Sequence, residues 1–337
     1  MSHMAPGSTV CDVAVVEDVW GEPFERLAAE LMVERKPDAW QDPEQLTETV
    51  AHTRALVVRN RTQVTADLLS GAPSLEVVAR AGVGLDNIDV AAADEAGVVV
   101  VAALGVNATS VAEHALALAL AVARSVVALD AQVRAGQWNR RSGFELAGGT
   151  WGLLSAGATA RATGRLAKAL DMTVLAHDPY VDPDDADLAR LGIHLVGLEE
   201  LVARSDVVSV HLPATPSTRG LVGRDLLGHA RPGLILVNCG RGEVVDEEAL
   251  AEALESGRIR GAGLDVRATE PPALGRLEKL PNVVLTPHIA GITDAAQSRI
   301  ADVLCSEIRT VLSGGEAGHA VTHARRPVRS APTAAAR

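Results

Sequence analysis

The chain is predicted to be an α/β protein of two doubly wound, parallel-sheet, Rossmann-like domains, the first of them discontinuous. Three observations predict it. Its 337 residues exceed what one hydrophobic core usually organises. Short apolar runs alternate with amphipathic stretches along most of the length, the pattern of parallel strands covered by helices on both faces. Apolar residues make up 47% of the chain but aromatic ones only 2%, so Ala, Val and Leu must build the interior, as they do in buried parallel sheets.

The first series of buried-strand runs is "VAVV" (13–16), "ALVV" (55–58), "LEVVAR" (75–80) and "VVVVAA" (98–103), with "PFERLAAELM" and "TADLLS" as helical segments between them. A long helical pattern from Ser110 to about Gln137 separates it from a second series: "WGLL", "MTVLAHD", "VVSVHL", "GLILVN", "GAGLDV" and "NVVLTP". Six strands suit a complete dinucleotide-binding fold. A last helical segment, about 292–313, is expected to pack back on the first domain. The expected limits are therefore 8–107 with 289–313 for the first domain and 108–288 for the second, with a ligand cleft between them. Residues 314–337 lack an apolar period and are expected to be a disordered tail, with no appended regulatory domain. The opening "MSHMAPGS" is left out of the fold.

The net charge of −12 argues against nucleic acid or an anionic membrane as a partner, while a small anionic metabolite held by a few local arginines stays compatible. Cys11, Cys239 and Cys305 show neither paired nor metal-ligand spacing, so no metal site is expected and a reducing cytoplasm is. "ALALALAVA" (115–123) is too short to cross a bilayer, and Arg124 closes it.

Within the second series, "LLSAGATARATGRLAKALDMTVLAHD" has the layout strand–turn–helix–strand. Where a dinucleotide turn reads G-x-G-x-x-G, it reads Ser155-Ala156-Gly157-Ala158-Thr159-Ala160. Gly157 keeps the position at which the backbone approaches a diphosphate, and Ala160 is an accepted third residue. Ser155 is the departure, in a turn that is strained without glycine. Asp178 ends the next strand, where a carboxylate bonds ribose hydroxyls and repels a 2′-phosphate. An ordinary strand–helix connection has the same local pattern; strand, helix and aspartate together favour NAD.

Three more stretches stand at strand ends of the same domain: "LVNCGRGEVVDEEAL", "GLDVRATEPP" and "LTPHIAG". Ligands bind at the carboxyl ends of open parallel sheets, so these stretches bring Arg241, Asp265 with Glu270, and His288 to one edge. Arginine grips a carboxylate and polarises a carbonyl, an imidazolium donates a proton, and a carboxylate orients that ring. Such a set fits reduction of a 2-keto acid. Singly, each has a bland reading: a salt-bridged strand-end arginine, a turn glutamate before Pro271-Pro272, one surface histidine among ten.

The ordered segments "VVRNRTQVTADLL", "RAGVGLDNIDV", "NATSVAEHALALAL", "DPYVD", "HLPATPSTRGLV", "VNCGRGEVVDEEALAEALESG", "GAGLDV…EPP" and "LPNVVLTPHIAG" resemble the D-isomer-specific 2-hydroxyacid dehydrogenase family, in particular its phosphoglycerate branch. The likeness runs from about 45 to 313. It implies that Arg241, Glu270 and His288 are catalytic, and that the backbone of Val83 and Gly84 binds a substrate carboxylate in the first, substrate-binding domain. Asn107 would line the same cleft, or simply cap a helix. Ala158 and Thr159 would cradle the diphosphate with Gly157, and Asp178 would hold the ribose. Cys239, Gly240 and Asp265 would surround the nicotinamide, with Gly291 nearby. His211-Leu212-Pro213 would pass the adenosine side, or Leu212 would serve the core. Arg59 and Arg61 would bind a second acidic group, or stay solvated. The departures are Ser155 and Ala160 for family glycines, Asn60 for a serine and Ala103 for a proline.

The resemblance further implies a homodimer through the second domain, with Ser110–Trp138 and "RAGQWNRR" at the contact. The reading that results is an NAD-dependent dehydrogenase of a small 2-hydroxy acid. Two rivals accompany it: a phosphite-type dehydrogenase on the same scaffold, and a non-catalytic NAD sensor or corepressor-like protein.

Overall fold

The computed structural model describes residues 10–328. Residues up to Val106 and from Asp294 onward form one compact unit, and Asn107–Thr293 form another.

The first unit is built on five parallel strands, β1 (Cys11–Val15), β2 (Val33–Arg35), β3 (Thr53–Val58), β4 (Val77–Arg80) and β5 (Val99–Ala102), in the order β2-β1-β3-β4-β5. Valine dominates because branched side chains pack well on a pleated, two-sided surface. Alternate residues face opposite cores. Val13, Val15, Val57, Val77 and Val101 pack with Ile300, Leu304, Ile308 and Val311 of the helix Asp294–Leu312. Ala14, Leu56, Val58, Val78 and Val100 pack with Leu46, Val50, Leu69 and Leu75 on the other face. The last long helix thus belongs to the first sheet, and the unit is discontinuous.

Two expectations change here. Strand β2 has no apolar run; "VER" is three residues long and only partly covered, and it pairs in parallel with β1 alone. Residues 314–328 are not a disordered tail. Ala320 bridges Val101 antiparallel, Val321 donates to the Val100 carbonyl at 2.8 Å, and the Thr322 hydroxyl accepts from the Val100 N–H at 3.1 Å. Asp94 accepts the N–H groups of His323 and Ala324. An edge strand offers unpaired backbone groups, and this segment satisfies those of β5 through its own backbone and the Thr322 hydroxyl, which needs no apolar period. Residues 8–9 and 329–337 of the expected limits lie outside the described residues.

The second unit carries seven parallel strands, β6 (Thr150–Leu154), β7 (Thr173–His177), β8 (Ile193–Leu195), β9 (Val207–Val210), β10 (Ile235–Asn238), β11 (Gly261–Leu264) and β12 (Val283–Leu285). Their order is β12-β11-β10-β9-β6-β7-β8. The chain winds outward from β6 in one direction and from β9 in the other, so the β6–β9 junction is the switch point at which such sheets bind ligands. The unexpected seventh strand is β8, whose "IHL" is too short to read as an apolar run.

The helical pattern at 110–137 is two helices, Ala108–Ala123 and Val126–Arg134, bent by 61° at the break. Ser125 adopts φ +52° there, and the apolar stripe does not reveal the bend. No single helix among the described residues is long and apolar enough to cross a membrane. Residues 289–293 go with the second unit rather than the first: Asp265 accepts the N–H groups of Ile289 and Ala290, and the Thr293 hydroxyl meets that of Ser110 at 2.8 Å.

Candidate active site

The turn after β6 keeps a glycine-like backbone without its first glycine. Ser155 sits at φ +109°, a region that costs an L-residue about 1 kcal/mol or more. Its hydroxyl accepts from the Gly157 N–H at 3.1 Å and leans toward Asp178 Oδ2 at 3.4 Å. Asp178, just past β7, accepts from the N–H of Ala156 at 2.9 Å and of Tyr180 at 3.1 Å. Turn and carboxylate are therefore one hydrogen-bonded piece.

Gly157 is the N-cap of the helix Ala158–Ala169, and no side chain caps that end. Its first N–H groups, those of Ala158 and Thr159 included, have no intrahelical acceptors and carry the positive end of the helix dipole. Ala160 is fully buried, as a small third residue should be. A glycine that the sequence motif does not single out, Gly164, completes the seat: a Cβ there would lie 2.9 Å from Ile193 and 3.3 Å from Leu153. Its signal is a lone glycine inside an alanine-rich helical pattern.

Asn107 Oδ1 and His211 Nδ1 are among the buried side-chain atoms of the described residues that have no hydrogen-bond partner. Asn107 stands at the N-cap of the helix Ala108–Ala123 without capping it, and its amide packs against Gly291, where a Cβ would fall 2.5 Å from Nδ2. The His211 ring meets Ser209 Oγ through Nε2 at 2.9 Å, and that hydroxyl accepts from Trp151 Nε1 at 2.8 Å. Burial pushes the His211 pKa down to about 4, so the ring is neutral at pH 7. Gly240 lies against the next residue: a Cβ would come within 2.8 Å of the Leu212 carbonyl. The Leu212 side chain packs on the core, its bland reading. An uncapped helix end, an aspartate at the β7 end and the orphaned His211 Nδ1 fit an adenine dinucleotide.

Arg241, Asp265 and His288 follow three neighbouring strands, β10, β11 and β12. Buried Asn238 braces the first: its Oδ1 accepts from the Gly240 N–H and its Nδ2 donates to the Arg241 carbonyl, both at 3.0 Å. The half-buried Arg241 donates from Nη1 to the Gly240 carbonyl at 2.9 Å. Burial pushes the neighbouring Cys239 thiol up, so it stays protonated.

His288 Nδ1 lies 2.7 Å from Glu270 Oε2, and Glu270 Oε1 accepts from the Arg267 N–H at 3.0 Å. Burial opposes the charge on Glu270, but the hydrogen bonds from His288 and Arg267 outweigh it and hold the pKa below the usual value. His288 has φ +57°, a left-handed backbone that is uncommon outside glycine, although histidine adopts it more readily than most residues. Its N–H donates to the Asp265 carbonyl at 2.7 Å.

Asp265 is 1% exposed, and its carboxylate accepts from Thr286 Oγ1 at 2.6 Å, Ile289 N at 2.9 Å and Ala290 N at 2.8 Å. His114 Nε2 stands 3.4 Å away. Burial raises its pKa, yet the bonds from His114, Thr286 and the two backbone N–H groups bring it below the ordinary range. These contacts tie the Asp265 side chain to the loop that carries His288. His114, Thr286 and Asn238 are not foreseen from the sequence.

Of the substrate-side candidates, Arg59, Val83 and Gly84 lie in the first unit, while Asn107, expected at the end of the first domain, begins the second. Glu17, after β1 and 2% exposed, accepts from four successive N–H groups, Arg59 (2.8 Å), Asn60 (3.2 Å), Arg61 (3.0 Å) and Thr62 (3.0 Å). Asn87 donates to the Thr62 carbonyl at 2.7 Å, tying this loop to the one that holds Val83 and Gly84. Arg59 is half-buried, while the exposed Arg61 guanidinium stacks 4.6 Å over Trp40. At Gly82 a Cβ would fall 2.0 Å from Arg80 Nη1, so the turn closes over a buried guanidinium only with glycine.

A parallel sheet wound from a switch point, with an acidic β7 end and an uncapped helix start, defines a dinucleotide-binding α/β protein. Residues 116–290 match the family model for the D-isomer specific 2-hydroxyacid dehydrogenase, NAD binding domain, and the chain belongs to that family. It is similar to D-3-phosphoglycerate dehydrogenase of Mycobacterium tuberculosis, 46% identical over 275 residues that cover 81% of this chain and 52% of the relative. The chain thus spans about half the length of the curated relatives it matches. Among solved structures, the TT0316 protein from Thermus thermophilus superposes with a TM-score of 0.85 at 36% identity, covering 92% of this chain and 100% of that one. A glyoxylate reductase from Paecilomyes thermophila gives 0.83 at 29% identity, covering 92% and 98%.

Proposed function

We propose that this protein is an NAD-dependent oxidoreductase that interconverts a small 2-keto acid and its D-2-hydroxy acid. The observation that carries the reading is the 2.7 Å contact between His288 Nδ1 and Glu270 Oε2, held on a left-handed backbone. Bound NADH supplies the hydride to the substrate's C2. With Nδ1 engaged by Glu270, His288 presents Nε2 and donates its proton to the oxygen of the developing alkoxide. Arg241 grips the carboxylate and polarises the carbonyl. The N–H groups of Val83 and Gly84, with Arg59 and Asn107, complete the hold on the acid, and the first unit serves as the substrate domain. Asp178 favours NAD over NADP by bonding the ribose and repelling a 2′-phosphate.

A homodimer accompanies this reading: Val126 and Val127 are each 53% exposed, Val133 50% and Trp138 80% on the second unit, an apolar patch of the kind partners cover. The three cysteines are free, which suits the cytoplasm. A pure NAD sensor has no use for a proton donor fixed by a carboxylate, so the His–Glu pair weighs against it.

The test follows NADH absorbance against 2-keto acids, and NAD reduction by 3-phosphoglycerate, glycerate, lactate, glycolate and phosphite, with His288→Ala and Arg241→Ala as controls. Turnover of an acid that both variants lose is expected. Turnover of none, of phosphite alone, or equal turnover by the variants overturns the reading.

A further inference from the structure

The loop between β11 and β12 that carries Glu270 is held by a residue with no place in the chemistry above. Arg267 is buried at its head group, its side chain 9% exposed. Nε donates to Glu247 Oε1 at 3.0 Å and Nη2 to Oε2 at 2.8 Å, a two-point fork onto the first turn of the helix Glu247–Glu255. Nη1 reaches Glu278 on the short 3-10 helix Leu277–Lys279. The Ala268 N–H donates to Glu247 Oε1 at 2.9 Å, so the same carboxylate holds the loop backbone as well. On the other side the loop rests directly on the turn of Arg241: a Cβ at Gly242 would fall 1.9 Å from the Arg267 carbonyl carbon.

The Arg267 N–H is the group that fixes Glu270 Oε1, leaving Oε2 to His288. Other charges around the Glu270 carboxylate are His288 and Asp265. We propose that Arg267 is a positioning residue: its clamp on Glu247 and Glu278 fixes the backbone N–H that orients the Glu270–His288 pair. A planar fork gripped at two carboxylates resists rotation in a way that a lysine or a methionine of similar length does not. The fork–fork pair is also sheltered, so it is worth more than a surface ion pair.

The inference rests on the assignment of Glu270 and His288 as the acid–base pair, but its test does not depend on turnover. Nitrogen-15 NMR reads the ring shifts and solvent exchange of the His288 Nδ1–H in wild type, Arg267→Met, Arg267→Lys, Glu247→Gln and Glu270→Gln. Arg267→Met should speed exchange about fivefold or more, toward the rate of Glu270→Gln, with Arg267→Lys and Glu247→Gln between them. On an acid that wild type reduces, kcat should fall about tenfold in Arg267→Met while KM for NADH stays within about twofold, a part of the loss expected for removing the acid itself. An unchanged Nδ1–H in a folded Arg267→Met protein overturns the proposal, whatever the activity. If Arg267→Met does not fold, Glu247→Gln decides in its place by the same criterion. Absence of turnover in wild type would sink the dehydrogenase reading and leave the NMR result standing.

Discussion

The hydroxyl of Ser155 accepts a hydrogen bond from the N–H of Gly157 at 3.1 Å, across a turn whose backbone at Ser155 is held at φ +109°. A side chain stands where the motif has none, and it binds a donor of the turn that is meant to face a diphosphate.

Ser155→Gly should therefore do two things. Releasing the strain raises stability by about 1 kcal/mol, read as a higher Tm. Freeing the Gly157 N–H should tighten NADH binding about tenfold, the worth of one hydrogen bond to a charged group. Calorimetric titration of both proteins measures it, and weaker binding by the glycine variant would refute the account.

His288→Ala and Glu270→Gln should each lower kcat by about 10²–10³, the usual contribution of a positioned acid. Both side chains are well exposed, at 46% and 38%, so neither substitution should lower Tm by more than about 2 °C. Steady-state rates beside thermal melts separate chemistry from folding. A stable variant with wild-type rate would remove that residue from the mechanism.

Asp178→Ala should erode the preference for NAD by about tenfold or more, since it deletes both the ribose acceptor and the repulsion of a 2′-phosphate. It also strands the Ala156 N–H that Asp178 accepts at 2.9 Å, so absolute kcat/KM with NAD should fall too. The ratio of kcat/KM for NADH to that for NADPH is the measure. An unchanged ratio would mean that discrimination lies elsewhere.

Glu17 gives a prediction about acid stability. Burial opposes its charge, and the N–H groups of Thr62, Arg59 and Arg61 outweigh that and hold the pKa below the usual carboxylate range. A depressed folded value means that its stabilisation is complete above the unfolded value of about 4.3 and is lost as pH falls through the folded one. Glu17→Gln should cost about 2 kcal/mol at pH 7. The difference from wild type should shrink below about pH 4, as followed by urea unfolding. A gap that does not change with pH would mean the charge is not what the loop requires.

The sheets are legible where strands are buried on both faces, because runs such as Val98–Val101 admit few other readings. Strands β2 and β8 are not: each is a three-residue edge strand placed by parallel pairing as well as by the packing of Val33 and Ile193, and pairing shows in no apolar run. The docking of residues 314–328 on β5 escapes for the same reason: backbone hydrogen bonds leave no compositional trace. In the site, the residues proposed to meet ligands stand out by type and strand-end position. Those that hold them in place do not. Asp265 is recognisable by its strand-end position, but its bonds to Thr286, Ile289 and Ala290 are not, because a sequence does not say which way a buried carboxylate faces. Asn238 and Glu17 hold backbone groups of other residues, Arg267 meets Glu270 through its own N–H, and nothing in their spacing announces it.

Gly164 seats the Ala158–Ala169 helix on the sheet two turns from the end where the diphosphate is expected, with Ile193 and Leu153 in the space a methyl would need. Grip on the nucleotide can thus be tuned from a distance. A single added carbon at that contact would require the ends of the Ile193 and Leu153 side chains, or the helix itself, to shift, so loss of affinity in a variant of this protein need not point to the residues that touch the ligand.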